Sequence, residues 1–272
     1  MRATFIGGGN MASAIIGALL ARGVPPSGVR IVEPAGGQRD RLAARFRGVL
    51  PYAACEAPAV EGADIVVFAV KPQQMRDAAR ALAPHVHRVP VVLTIAAGVR
   101  CADLARWLDG YARIVRAMPN TPALVGAGIS ALYATAAAHD VAASAARVLE
   151  ACGEVLWCAH ESDLDAVTAV SGSGPAYVFY FLEALEQAAA ELGLPPAQAR
   201  RLAYATFDGS MRLARASDDP PAMLRANVTS KGGTTAAAVA VLDAAGARAH
   251  FIEAVKAAAA RAIELGDDYA RD

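Results

Sequence analysis

The chain has 272 residues, enough for one large domain or two modest ones with a substantial core. Lys plus Arg and Asp plus Glu both number 26, so the formal net charge is zero, and no basic run or acidic tail marks a nucleic-acid or polycationic partner. Hydrophobic residues make up 55% and the mean hydropathy is +0.32, which predicts apolar surface covered between subunits; no apolar stretch reaches the roughly 18 residues of a membrane span. The first predicted strand ends at Ile6. Gly7-Gly8-Gly9-Asn10-Met11-Ala12 follows and opens an apolar-periodic segment over residues 11–20. Strand, glycine turn and helix in this order, with Gly7, Gly9 and Ala12 spaced as G-x-G-x-x-A, suit a dinucleotide. The first glycine permits the tight turn, the second lets a pyrophosphate approach the backbone, and the small third residue packs helix against strand. Free N–H groups and the helix dipole then meet the phosphates. A glycine turn without a ligand has the same pattern. Residues 11–20 also have the length of a signal-peptide core, but no basic segment precedes them.

Residues 29–32 read as the second strand, ending at Glu33-Pro34. An acidic residue here can bond the adenosine ribose hydroxyls and disfavour a 2′-phosphate, which leans toward NAD. Arg39 and Arg41 are close enough to meet a phosphate instead, and a solvated strand end is equally compatible with Glu33. A polar helix over 38–46 and a short strand over 49–52 come next. Residues 63–70 form a continuous apolar run, as expected of a parallel strand buried on both faces. It ends at Lys71-Pro72, and ligands in such sheets bind beyond the carboxyl ends of the strands. Residues 89–96 repeat the pattern and end at Ala97-Gly98, small enough for a flat ring to lie against the backbone. A helix over 102–108 and a strand over 112–117 lead into Met118-Pro119-Asn120-Thr121-Pro122, a rigid polar loop. Short strands over 129–133 and 154–157 flank a helix over 140–152.

Beyond about residue 160 the strand pattern stops. Residues 175–192, 195–216 and 247–265 carry apolar residues at three- and four-residue spacing and read as helices. The reading is an α/β, Rossmann-type doubly wound domain over 1–161 and an all-α domain over 162–272. Two stretches in the helical half stand out. Ser171-Gly172-Ser173-Gly174-Pro175 and Asn227-Val228-Thr229-Ser230-Lys231-Gly232-Gly233-Thr234-Thr235 are polar, glycine-bearing turns before helices. Each offers hydroxyls and backbone N–H groups to a carboxylate, and each also serves as a plain helix cap. The four cysteines, Cys55, Cys101, Cys152 and Cys158, form no C-x-x-C pair and are expected as reduced thiols in a cytoplasmic protein. His85 and His87 have no nearby third ligand, so no metal is expected.

Taken together, the glycine loop, Ala69-Val70-Lys71-Pro72, Ile95-Ala96-Ala97-Gly98, Arg116-Ala117-Met118-Pro119-Asn120-Thr121-Pro122, Ser171-Gly172-Ser173-Gly174-Pro175 and Thr229-Ser230-Lys231-Gly232-Gly233-Thr234-Thr235 resemble pyrroline-5-carboxylate reductase in kind and order. The resemblance runs from about Arg2 to Leu265. It implies NADPH- or NADH-dependent reduction of 1-pyrroline-5-carboxylate to L-proline, with a Rossmann domain and a helical dimerisation domain. The implied homodimer can assemble further into a decamer, and the turn at 230–235 can come from the partner subunit. Matched by motif, Ile6, Gly7, Gly8, Gly9, Asn10, Met11, Ala69, Val70, Lys71 and Pro72 would hold the cofactor, with Ala96 and Ala97 beside the nicotinamide. Asn227 would also reach the cofactor. Ser230, Gly232, Gly233, Thr234 and Thr235 would hold the substrate carboxylate, Thr235 lying near the imine nitrogen, and Glu161 would sit near the substrate. Members that favour NADPH often carry other residues where this chain has Glu33-Pro34, and Lys231 stands where many have proline.

Two other functions compete. A β-hydroxyacid dehydrogenase shares the two-domain plan, but the place of its catalytic lysine holds Val178 here. A non-catalytic NAD(P)H sensor would not need the polar turns of the helical half.

Overall fold

In a computed structural model, residues 1–271 are described. The apolar runs become eight strands of one sheet: β1 (Ala3–Ile6), β2 (Val29–Val32), β3 (Leu50–Tyr52), β4 (Ile65–Phe68), β5 (Val92–Thr94), β6 (Ile114–Met118), β7 (Gly128–Ala134) and β8 (Gly153–Trp157). Their order is β3-β2-β1-β4-β5-β6-β7-β8. All neighbours are parallel except β6 and β7. The chain moves outward from β1 to β3 and then returns to β4 beside β1. That reversal is the switch point at which doubly wound sheets bind ligands. Ile6 is level with Val32 and with Phe68, so the carboxyl ends of β1, β2 and β4 finish together there.

Helices α1 (Asn10–Ala21), α2 (Gly36–Arg45), α3 (Ala57–Val60), α4 (Met75–Leu82), α5 (Cys101–Trp107), α6 (Ala143–Glu150) and α7 (Asp163–Val167) accompany the strands. β4 shows why its sequence is apolar throughout. Ile65 and Val67 pack with Ile15, Ile16 and Leu19 of α1 on one face, while Val66 and Phe68 pack with Met75 and Leu82 of α4 and Leu104 of α5 on the other. The strand ladder is shorter than the apolar run of 63–70, because buried flanking residues such as Ala63 must be apolar without being paired.

One predicted turn is helical instead. Thr168–Gly172 is π-wound, and α8 (Gly174–Glu191) follows almost directly. The Thr168 and Ser171 hydroxyls donate back to the carbonyls of Leu164 (2.7 Å) and Val167 (3.3 Å), and the Ser173 N–H donates to the Thr168 carbonyl (2.8 Å). These hydroxyls and that N–H are spent within the helix. Gly172 has no room for a side chain, since a Cβ there would run into Met118.

The helical half continues with α9 (Pro196–Arg215), α10 (Pro221–Asn227), α11 (Thr234–Ala244) and α12 (Ala247–Arg271). The chain divides into two compact units: residues 1–173 with the end of α12 from Ala258 on, and Gly174–Ala257. In the first, α12 is tied to the loops after β4 and β5. Arg100 Nη2 meets Asp267 Oδ1 at 2.7 Å, and Gln73 Nε2 donates to the Tyr269 hydroxyl at 3.3 Å. In the second, Tyr177 and Phe181 of α8 meet Phe251 of α12 edge-on, at 5.7 and 5.6 Å between ring centres. Only Ala199 and Ala203 of that unit are buried, and Val178, Phe179, Tyr180 and Phe181 are all exposed in the single chain. Among the described residues, no single helix is long and apolar enough to cross a membrane.

Candidate active site

The glycine turn is shaped by what surrounds it. Gly7 has φ +98°, and a Cβ there would stand 2.7 Å from Val70 Cγ1 and 2.8 Å from the Ala69 carbonyl oxygen. Any side chain would be strained and would strike the end of β4. Around Gly9, by contrast, a Cβ would meet nothing within 4 Å. Gly9 is the N-cap of α1, which begins with no side-chain cap and no acidic residue in its first turn. Its first N–H groups therefore have no partner within the helix, and the helix supplies no acidic residue of its own to its positive end. Ile6, Gly7, Gly8, Gly9, Glu33, Ala69, Val70 and Lys71 line one cleft of about 530 Å³. Asn10, next to Gly9, is the first residue of α1. The room at Gly9, the crowding at Gly7 and the unpaired helix start fit a dinucleotide diphosphate.

Glu33 has a further task that its position in the sequence does not disclose. Its Oε2 accepts the Gly8 N–H at 3.0 Å and its Oε1 accepts the Ala35 N–H at 3.0 Å. The carboxylate thus latches the glycine turn to the end of β2 while lining the cleft. Gln38, which the motif reading did not single out, closes the latch by donating to the Gly8 carbonyl at 2.7 Å. Arg39 donates to the Glu33 and Pro34 carbonyls, and Arg41 to Gln38 Oε1, so both arginines are engaged locally. Cys55 also lines the cleft. Burial pushes its thiol up to about 11, so it stays protonated near neutral pH.

Beyond β4 and β5 lies a smaller pocket of about 250 Å³. Met11, Ala69, Val70, Ile95, Met118 and Asn120 are among its lining residues. Ile95 reaches it, while the neighbouring Ala96 is buried with its N–H directed at Thr94 Oγ1 (3.3 Å). Ala97 continues that loop toward Gly98, which has φ +78° and packs beneath the Tyr269 ring. Pro72 borders a separate hollow of about 150 Å³ with Gln73, Arg76 and Trp107. A larger hollow of about 680 Å³ lies at the β7–β8 edge, lined by Tyr133, His139 and Trp157 among others. It has neither a glycine turn nor a predicted site residue, and the switch-point cleft is the better candidate on chemistry.

Glu161 is part of a network that motif matching misses. Its Oε1 accepts the Cys101 N–H at the start of α5 (2.7 Å) and pairs with Arg116 Nη1 (3.1 Å). Arg116 Nη2 lies 3.5 Å from Asp165 Oδ1, and the arginine side chain is only 4% exposed. A charged residue in the apolar strand β6 was the one signal in the sequence. The Cys101 thiol is pushed up by burial first and by the Glu161 charge second, so it is a packed group and not a nucleophile.

In the second unit, Asn227 ends α10 and the turn 228–233 leads into α11. Gly232 has φ +75°, and the Gly233 N–H donates to the Ser230 carbonyl at 3.0 Å. A Cβ on Gly233 would fall 2.5 Å from Ser230 Oγ, a hydroxyl that can turn aside, so it is Gly232 with its positive φ that calls for glycine. Gly233 caps α11 without a side-chain bond, and the first turn has no acidic residue. N–H groups without an intrahelical partner, the Ser230, Thr234 and Thr235 hydroxyls and the exposed Lys231 are donors of the kind that a carboxylate would need. Among the described residues, no three His, Cys, Asp or Glu side chains gather to hold a metal.

Residues 161–265 match the pyrroline-5-carboxylate reductase dimerisation family, and residues 2–98 match a family described as NADP oxidoreductase, coenzyme F420-dependent. The pyrroline-5-carboxylate reductase of Pseudomonas aeruginosa is 43% identical over 267 residues, covering 98% of this chain and 97% of its own. Among solved structures, the enzyme of that name from Coxiella burnetii has a TM-score of 0.89 at 38% identity, covering 97% of this chain and 98% of its own. The Plasmodium falciparum pyrroline carboxylate reductase with NADP bound has a TM-score of 0.87 at 26% identity, covering 98% of each. Similarity this deep takes in the glycine cleft and the α11 turn alike, and the chain belongs to the pyrroline-5-carboxylate reductase family.

Proposed function

We propose that this protein reduces 1-pyrroline-5-carboxylate to L-proline, the last step of proline biosynthesis, with a nicotinamide dinucleotide as donor. One observation carries the reading. Two glycine turns, Gly7-Gly8-Gly9 before α1 and Gly232-Gly233 before α11, each lead into a helix N-terminus whose first N–H groups point at a would-be anion. A diphosphate and a substrate carboxylate are the two anions that this reaction brings. When bound, the dinucleotide supplies the hydride. The chain's own residues have the remaining tasks. Ile6, Gly7, Gly8, Gly9, Asn10 and Met11 hold the cofactor, with the glycines at its diphosphate segment and Met11 in the adjoining pocket. Ala69, Val70 and Lys71 border it, while Pro72 lies outside the cleft and only follows them in the loop, and Ala96, Ala97 and Asn227 complete the cofactor's surroundings. Ser230, Gly232, Gly233 and Thr234 hold the carboxylate, and the Thr235 hydroxyl orients the imine nitrogen. Glu161 serves the substrate by holding the start of α5 and Arg116 in place. No indispensable acid–base residue is invoked, because a protonated cyclic imine is already a strong electrophile.

In this reading residues 1–161 form the dinucleotide-binding domain, and residues 162–272 the dimerisation and substrate domain. The exposed run Val178, Phe179, Tyr180 and Phe181 supports a homodimer, which can assemble into a decamer. The protein works in the cytoplasm and needs no metal, membrane or nucleic acid. Glu33, with its carboxylate in the cleft, supports use of NAD(H) beside NADP(H).

Thr235→Ala tests the substrate half. With one hydrogen bond to a charged group removed, kcat/KM for the imine falls by about ten- to a hundredfold while dinucleotide affinity is unchanged. An unchanged kcat/KM would remove Thr235 from the site.

A further inference from the structure

The loop after β6 has no part in the reaction as described so far. Within it, Asn120 is 9% exposed, and its Oδ1 accepts the Ile129 backbone N–H at 3.0 Å. An N–H donor can face only the oxygen of a carboxamide, so this bond fixes the amide's orientation and turns its NH2 the other way. Among the described residues, nothing in the chain accepts from that NH2. Nor is it sealed in the interior, where the unpartnered side-chain atoms belong to Asp103, Trp107 and Tyr177. Asn120 therefore presents a pre-oriented donor to open space. The space it lines is the 250 Å³ pocket, otherwise walled mainly by Met11, Val70, Ile95 and Met118. Ala69 and Val70 belong both to this pocket and to the dinucleotide cleft, so the two adjoin.

Soft, flat apolar walls with one fixed donor suit an aromatic ring that carries an amide. We propose that the Asn120 NH2 donates a hydrogen bond to the carboxamide oxygen of the nicotinamide, fixing how the ring lies in this pocket. The proposal rests on the reading that the cleft binds a nicotinamide dinucleotide. The Ile129 N–H is what holds the donor in place, since without it the amide could turn its oxygen inward and repel the ring's carbonyl.

The test uses the full-length protein and two ligands, NADH and its thionicotinamide analogue, in which sulfur, a weak acceptor, replaces the amide oxygen. Asn120→Asp keeps an oxygen for the Ile129 N–H and removes both donor hydrogens. Calorimetric titration of the wild type should show NADH binding about fivefold more tightly than the analogue, the loss of one neutral hydrogen bond. In Asn120→Asp, NADH should bind about tenfold more weakly and the preference over the analogue should vanish. A wild type that binds both ligands equally overturns the assignment without recourse to any variant. So does an Asn120→Asp protein that keeps the preference, or one in which only KM for the imine rises, since the amide would then serve the acceptor. If the wild type takes only the 2′-phosphorylated donor, the same comparison is made with NADPH and its thionicotinamide analogue; a wild type that binds neither NADH nor NADPH overturns the dinucleotide reading itself and this assignment with it.

Discussion

Replacing Gly7 with alanine is expected to abolish dinucleotide binding and to destabilise the fold by about 2–5 kcal/mol. Two effects add. Gly7 occupies φ +98°, where a side chain is strained, and its Cβ would meet Val70 Cγ1 at 2.7 Å and the Ala69 carbonyl at 2.8 Å. The second contact is with backbone of the central sheet, which cannot rotate away. Relief would require β1 and β4 to part at their carboxyl ends, where the cleft is formed. Gly37 is the internal control. It lies in α2, and a Cβ there would meet nothing within 4 Å, so Gly37→Ala should be neutral or stabilising by up to about 1 kcal/mol. Denaturant unfolding and NADH titration of both variants decide the matter. A Gly7→Ala protein that binds NADH within threefold of the wild type would contradict the geometry of the turn, given the roughly tenfold or greater loss that such crowding implies.

Arg116→Met should cost about 3 kcal/mol of stability, at the lower end of the range for breaking a buried ion pair because Glu161 and Asp165 keep some contact with water. The substitution preserves volume but strands two carboxylates beside an apolar strand. Part of the loss should return in the triple variant Arg116→Met, Glu161→Gln, Asp165→Asn, which removes the stranded charges and keeps an amide oxygen at position 161 for the Cys101 N–H. Urea unfolding of the three proteins reads the effect. A loss under about 1 kcal/mol in the single variant would mean that the network is solvated and contributes little.

The elements that could be read from the chain are those in which burial dictates residue type locally. β4 is apolar on both faces because helices cover both faces, and the glycine turn is legible because only glycine fits at Gly7. The turn before α11 could be read for a like reason at Gly232, whose positive φ suits glycine. What the sequence hides depends on partners far along it. Arg116 pairs with residues 45 and 49 positions away, and no spacing rule links them. The π-wound stretch at Thr168–Gly172 looks like a glycine–serine turn until Met118 is seen packed on Gly172. The identity of Glu33 suggested a ribose partner, but its two hydrogen bonds to the Gly8 and Ala35 N–H groups are set by how β2 abuts the glycine turn, which residue type alone does not reveal.

The central claim is tested most directly by incubating the purified protein with 1-pyrroline-5-carboxylate and either NADPH or NADH, following cofactor oxidation and identifying the product. The account predicts L-proline formed in step with cofactor oxidation, and with Glu33 in the cleft it predicts kcat/KM with NADH within roughly a hundredfold of that with NADPH. A larger preference for NADPH would remove Glu33 from cofactor choice, and no L-proline with either cofactor would contradict the function itself.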